Sequence, residues 1–158
     1  QQLYEMGYIS YMRTDSLRIS EVAQKEAREF IAAQYGAEFI PAKPKQYRAK
    51  KSAQDAHEAI RPTSSVSTPE KLKSKLKPDL YKLYRLIWLR FMASQMSDAV
   101  LDMVSADIST GKYLVKASGS EVKFAGFMTL YVEGKDEAEE KSTKLPKLEE
   151  GQPLHVHV

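Results

Sequence analysis

The sequence predicts an α+β fold in two successive parts: a mainly helical unit over residues 1–96 and an antiparallel β unit over 97–158. Three observations carry this expectation. Apolar residues recur at three-and-four spacing over 20–35 and 78–95, the period of a helix with one buried face. From Asp98 the period changes to two, as on a strand whose side chains alternate between faces. Thr110-Gly111-Lys112 then interrupts two alternating runs and reads as a hairpin turn.

Taken in order, residues 1–6 read as the last turns of a helix closed by Gly7. Tyr8-Ile9-Ser10-Tyr11-Met12 is aromatic and β-branched enough for a short strand, which Thr14-Asp15-Ser16 breaks. A helix follows from Ser20 as N-cap to Tyr35, with Gly36 as its stop. Val22, Ala23, Ala27, Phe30 and Ile31 form its apolar face. Residues 37–52 make a connection containing Pro41, Pro44 and many cations. Short helices are expected at 53–60, ended by Pro62, and at 69–76. The longest, 78–95, starts on Pro78 and presents Leu80, Leu83, Tyr84, Ile87, Trp88 and Phe91 on one face. After the hairpin, short strands are expected at 122–124, 128–132 and 154–158. Residues 133–150, acidic and Lys-rich, read as a solvated loop.

Composition narrows the function classes. The chain of 158 residues is 42% apolar and 28% charged, enough to bury a core. No apolar run reaches the length of a membrane span, and the first residues do not read as a secretory leader. With no cysteine, disulfide frameworks and thiolate metal sites are excluded, which fits a reducing compartment. The opening without Met and the final alternating residues lead us to expect a piece of a longer polypeptide. Net charge is +3, but residues 1–96 carry +7 and residues 97–158 carry −4. That asymmetry suggests contact of the first part with a polyanion.

The most informative stretch is Gly7-Tyr8-Ile9-Ser10-Tyr11-Met12-Arg13-Thr14-Asp15-Ser16. On a strand Tyr11 and Arg13 project together, and Asp15 joins them if the backbone stays extended. A phenol titrates near about 10 when unperturbed, so a tyrosine nucleophile needs a cation that favours its phenolate. A guanidinium meets that need, and it also grips a phosphate through two parallel hydrogen bonds. The same spacing equally describes a packed tyrosine beside a solvated charge. In the second segment, residues 53–63, a helix would set His57 and Arg61 one turn apart, suited to holding a phosphate. A surface helix with a half-buried histidine is the alternative. The segment lacks the second histidine of a zinc-protease helix, so it implies no metal. Lys43, Lys45, Arg48, Lys50 and Lys51, with Tyr47 among them, form either a basic loop or a track for single-stranded backbone with one stacking ring.

Taken together, the decapeptide at 7–16 and the Gln-Asp-Ala-His-Glu-Ala-Ile-Arg-Pro-Thr stretch at 54–63 resemble the type IA DNA topoisomerases. His57 follows Tyr11 by 46 positions. Met12 is similar to the bacterial topoisomerase I branch, where the topoisomerase III branch usually has Pro, and Phe124-Ala125-Gly126-Phe127 also resembles the family. Ser10 and Asp55 stand where Thr and Glu are common. The resemblance implies a winged-helix (CAP-like) helical domain with a short active-site strand, followed by β segments of an arch domain. It implies that Tyr11 attacks one DNA strand and becomes joined to its 5′-phosphate, with Arg13 holding the scissile phosphate. His57 is expected to contact phosphate, with Asp15 orienting it. Arg61, Arg48 and Lys51 are expected along the DNA backbone. The intact enzyme would use Mg2+ held by an acidic domain outside this chain, with none bound here. The expected partners are a single-stranded DNA segment and the acidic metal-binding and gate domains of the same polypeptide, with no membrane. The expected setting is cytoplasmic and nucleoid-associated, with this chain inactive by itself. The competing readings are a non-catalytic winged-helix-like DNA-binding module, in which Tyr11 only packs, and a purely structural interaction domain.

Overall fold

A computed structural model describes residues 1–47, 57–132 and 145–154. The chain divides into two compact units. The first comprises Gln1–Asp98 and Gly126–Glu133, the second Ala99–Ala125 and Gly134–Val158.

In the first unit, α1 (Gln2–Glu5) ends in a Schellman motif: Tyr8 N donates to Leu3 O and Gly7 N to Tyr4 O, both at 2.9 Å. Gly7 adopts φ 76°, as that motif requires. The expected long helices are found as α2 (Glu21–Tyr35) and, after the single turn α3 (Pro69–Leu72), α4 (Pro78–Gln95). Ala23, Ala27 and Ile31 of α2 meet Tyr84, Trp88, Phe91 and Met92 of α4 in one core, joined by Leu3, Ile9, Leu72, Leu76 and Met96. Burial of these apolar groups is the main force holding the unit together. Two expected core residues lie outside it: Val22 is 79% exposed and Leu83 is also exposed. Both stand at the edge of their helical stripe, where the neighbouring helix does not reach.

The connection between α2 and α4 is tied to both. From α4, Trp88 Nε1 donates to Ser65 O at 3.0 Å, and the Tyr84 hydroxyl donates to Ser67 O. Burial pushes the Tyr84 phenol up to about 12. From α2, Glu26 Oε1 accepts from Ser64 Oγ at 2.6 Å and Ser65 N at 2.9 Å.

Several local expectations are corrected. Residues 8–12 form no strand; Ile9 and Pro62 make a single antiparallel bridge. Ser10 N donates to Arg61 O and Thr63 N to Tyr8 O, but the reciprocal donors go elsewhere, Tyr8 N to Leu3 O and Arg61 N to Ser10 Oγ, so no ladder develops. Of the expected helix at 53–60, residues 53–56 lie outside the described residues, and 57–60 are not helical. Within them Ala59 N has a tertiary partner instead, donating to Arg18 O at 2.7 Å. The helix expected to reach residue 76 ends at Leu72 and gives way to turns, with Lys75 N and Leu76 N both donating to Leu72 O at 3.0 Å, before Pro78 holds Lys77 extended (φ −62°, ψ 151°) and opens α4. The strand expected at 128–132 is instead a 3-10 turn, Gly126–Thr129, within the first unit. Phe127 N donates to Ser97 O at 2.9 Å, and Phe127 and Leu130 pack on the core. Among the described residues no helix is long and apolar enough to cross a membrane.

The second unit is an antiparallel hairpin of β1 (Val100–Thr110) and β2 (Tyr113–Phe124), turning through Gly111 at φ 60°. Its register runs from Thr110 opposite Tyr113 to Val100 opposite Phe124, with one irregularity between Val100 and Leu101. Residue 154 has no regular structure, and 155–158 lie outside the described residues, as do 133–144 of the expected loop.

Candidate active site

The site begins with the way residues 7–11 are held against 59–63. Ser10 Oγ donates to Ala59 O at 2.8 Å and accepts from Arg61 N at 2.9 Å, while its N donates to Arg61 O. Thr63 Oγ1 donates to Gly7 O at 2.7 Å. The backbone immediately before Tyr11 is therefore clamped to the stretch that follows His57.

Tyr11 itself is 41% exposed. Its ring stacks on the His57 imidazole, with centroids 6.1 Å apart and planes 27° from parallel. On another side the Tyr4 ring meets it edge-on at 5.4 Å. Exposure alternates along the next residues: Met12 packs on the core while Tyr11, Arg13 and Asp15 face solvent. That is the pattern of an extended backbone, although no ladder forms there. Ser16 is buried and turns the chain, its Oγ accepting from Arg18 N while its N donates to Thr14 Oγ1.

The structure thus brings Tyr11 and His57 together and leaves the Arg13 guanidinium on the surface two residues from the phenol. It does not form the expected Asp15–His57 contact: Asp15 has no hydrogen bond or ion pair among the described residues. Arg61 differs more sharply from expectation. Its side chain is only 16% exposed, with Nη2 on Glu58 Oε2 at 2.8 Å and Nη1 donating to Pro62 O at 3.0 Å. Nε is buried with no partner. Without a helix at 57–60, the premise that His57 and Arg61 share a face is lost, and the guanidinium turns inward.

Glu58 escaped the sequence reading. Besides Arg61, it accepts from Ser20 N at 2.8 Å, so it occupies the N-terminus of α2 where Ser20 Oγ makes no capping bond. Burial works against its charge, but hydrogen bonds from Ser20 and Arg61, and the guanidinium's charge, outweigh that and hold its carboxyl below the ordinary range. Its position beside His57 was the only available signal.

Of the basic stretch, Arg48, Lys50 and Lys51 lie outside the described residues. Lys45 pairs with Asp98 at 2.6 Å, and the Tyr47 hydroxyl donates to Ser94 O at 2.7 Å, leaving that ring partly exposed. A broad groove runs between α2 and residues 40–47, with Arg18, Lys25, Arg28, Lys43 and Lys45 among its walls against Glu21 and Glu29. Among the described residues no three His, Asp or Glu side chains gather as a metal set.

Comparison with known proteins bears on what this arrangement serves. The model of a DNA topoisomerase family matches residues 1–158. Among solved structures, full-length topoisomerase I from Thermotoga maritima is similar, with 35% identity and a TM-score of 0.73 over 90% of this chain. This chain spans 22% of the length of that protein.

Proposed function

This chain belongs to the type IA DNA topoisomerase family, and from that premise we propose that it carries the strand-cleaving tyrosine of a bacterial topoisomerase I, Tyr11. The observation that carries this is the exposed Tyr11 phenol stacked on His57, on a backbone clamped by Ser10.

In the reaction, the phenol oxygen bonds to a backbone phosphorus of one DNA strand. The bond from phosphorus to the 3′-oxygen breaks, and that oxygen leaves as a hydroxyl, taking up one proton from solvent for the one that the phenol gives up to solvent. The strand is then held as a 5′-phosphotyrosine. Reversal restores the backbone and returns the proton to Tyr11, so no ATP is consumed. Passage of a strand while the break is open would relax negative supercoils. Arg13, exposed on the same extended stretch, serves to hold and polarise the scissile phosphate. His57, with its ring against the phenol, serves as the phosphate-side imidazole. The groove along α2 and residues 40–47 suits a single-stranded segment, to which Arg48 and Lys51 would add charge. Arg61 is better read as a brace for Glu58 than as a DNA contact. The winged-helix reading of the first unit and the arch reading of the hairpin belong to this proposal, as does a cytoplasmic, nucleoid-associated setting.

Glu58, the carboxylate beside His57, is taken up by Ser20 and Arg61, so the described residues do not fit a magnesium ion. Its ligands, and the gate domains, are assigned to the rest of the polypeptide.

The test uses the intact enzyme and its Y11F variant, incubated with magnesium and a 3′-labelled single-stranded oligonucleotide and resolved on a denaturing gel. Label at protein size in the wild type, and its loss in Y11F, is the expected result. A variant that still traps DNA, or a wild type that never does, would favour the non-catalytic DNA-binding module. The 158-residue chain alone is expected to cut nothing; magnesium-dependent cleavage by it would overturn that part.

A further inference from the structure

Residues 57–61 carry the imidazole that lies on Tyr11, yet this stretch has no helix or ladder of its own to hold it. What holds it is a short set of tertiary bonds. Ser10 supplies one side, through Ala59 O and Arg61 N. Ala59 N on Arg18 O supplies another. The charged contribution comes from Glu58, whose two carboxylate oxygens reach in different directions, Oε1 to Ser20 N and Oε2 to Arg61 Nη2.

We propose that Glu58 is a positioning residue for the cleavage reaction, fixing the His57 ring on Tyr11 by tying residues 57–61 to the N-terminus of α2. This rests on Tyr11 being the nucleophile. The physical case has three parts. A carboxylate at a helix N-terminus is favoured by the dipole of that helix, and Ser20 leaves the place open because its own hydroxyl does not cap. Arg61 is mostly buried and its Nε is already without a partner, so removing Glu58 leaves a charge that must turn toward water and drag its backbone with it. That backbone is bonded to Ser10, the residue before Tyr11, so both rings of the stacked pair lose their reference together. Misplacement of reacting groups by about an ångström costs up to about 100-fold in rate.

Glu26 provides a matched control. It also accepts two hydrogen bonds across from α2, but from Ser64 and Ser65, beyond the stretch that positions His57. In the intact enzyme, the rate of covalent adduct formation on the 3′-labelled oligonucleotide and the thermal midpoint are measured for E58A, E58Q and E26A. The expected result is a loss of about tenfold or more in E58A, a loss under about threefold in E26A at a comparable fall in midpoint, and a smaller loss in E58Q than in E58A, since its amide oxygen still accepts from Ser20 N while its NH2 cannot pair with Arg61. Equal losses in E58A and E26A would reduce Glu58 to a structural residue and overturn the proposal. Should E58A fail to fold, S20P serves instead. Ser20 has φ −64°, which proline adopts, and the change removes the N–H and the hydroxyl with which Ser20 holds Glu58. A several-fold loss of adduct rate in S20P supports the proposal, and a wild-type rate overturns it. Loss of the adduct in Y11F with no effect of E58A would leave the nucleophile assignment standing and remove Glu58 alone.

Discussion

At Glu58 the folded state changes the acidity of a single carboxyl, and the sign of the consequence can be worked out. Its folded pKa is depressed, so its contribution to stability is complete above the unfolded glutamate value of about 4.3 and disappears as pH falls through the lower folded value. The advantage of the wild type over E58Q in thermal midpoint should therefore shrink as pH falls below the ordinary glutamate value. Melts followed by circular dichroism across that fall in pH check this; a constant gap would mean that the charge of Glu58 contributes nothing. At this scale Tyr11, Arg13 and His57 were legible because a spaced motif names residue types directly. Arg61 was not, because its direction depends on whether residues 57–60 are helical. Glu58 was not singled out, since Ser20 meets it only across the fold, although Arg61 stands just three residues on.

Among the elements, the 3-10 turn at Gly126–Thr129 has a clear steric requirement. Gly126 sits at φ 50°, and a Cβ there would lie 2.5 Å from Asp98 O and 2.6 Å from Ser97 O, both backbone atoms that cannot swing aside. The variant G126A should lose at least about 1–2 kcal/mol from the left-handed conformation alone, with the clash adding to it. Urea unfolding of wild type and variant measures the difference, and an unchanged midpoint would contradict the geometry. A second element-level expectation concerns the basic connection. Replacing Lys43, Arg48 and Lys51 together by Gln should lower the slope of log affinity against log salt for single-stranded DNA by about 2. An unchanged slope would assign the stretch to solubility. Helices α2 and α4 were readable to within a residue because a long amphipathic repeat leaves little choice of period. The stretches at 8–12, 57–60 and 126–130 were misread because each is short. Their backbone bonds are decided by partners outside any regular element, as when Leu3 O and Ser10 Oγ take the donors that would extend the bridge between Ile9 and Pro62.

Over the whole molecule, the two units differ in how much each buries. The first has a continuous core from Leu3 to Met96. The hairpin has none of its own among the described residues: Leu101, Met103, Val104, Leu114 and Val115 are all exposed, Met103 at 79%. A two-stranded sheet of this kind is marginal in water. Its cross-strand ion pairs, Lys116–Asp107 at 3.8 Å and Lys123–Asp102 at 3.9 Å, are exposed and add little. Hydrogen exchange followed by mass spectrometry on the 158-residue chain should therefore show β1 and β2 exchanging well before α2 and α4. Equal protection would mean that the hairpin is stabilised by something other than its own two strands.

Local chemistry written in the sequence was sufficient for the α+β class, the two long helices, the hairpin turn at Gly111 and the family, and it nominated the tyrosine, arginine and histidine as candidates for DNA cleavage. Each depends on periodicity, turn preference or a contiguous motif, which neighbouring residues enforce on one another. Tertiary structure alone decided that His57 stacks on Tyr11, that Arg61 turns inward to Glu58, that Glu58 holds the start of α2, and that residues 126–130 belong with the helical unit. Apart from the Arg61–Glu58 pair, which stands three residues apart, those outcomes depend on hydrogen bonds and burial between residues tens of positions apart, where the winning partner is set by the packing of the whole unit.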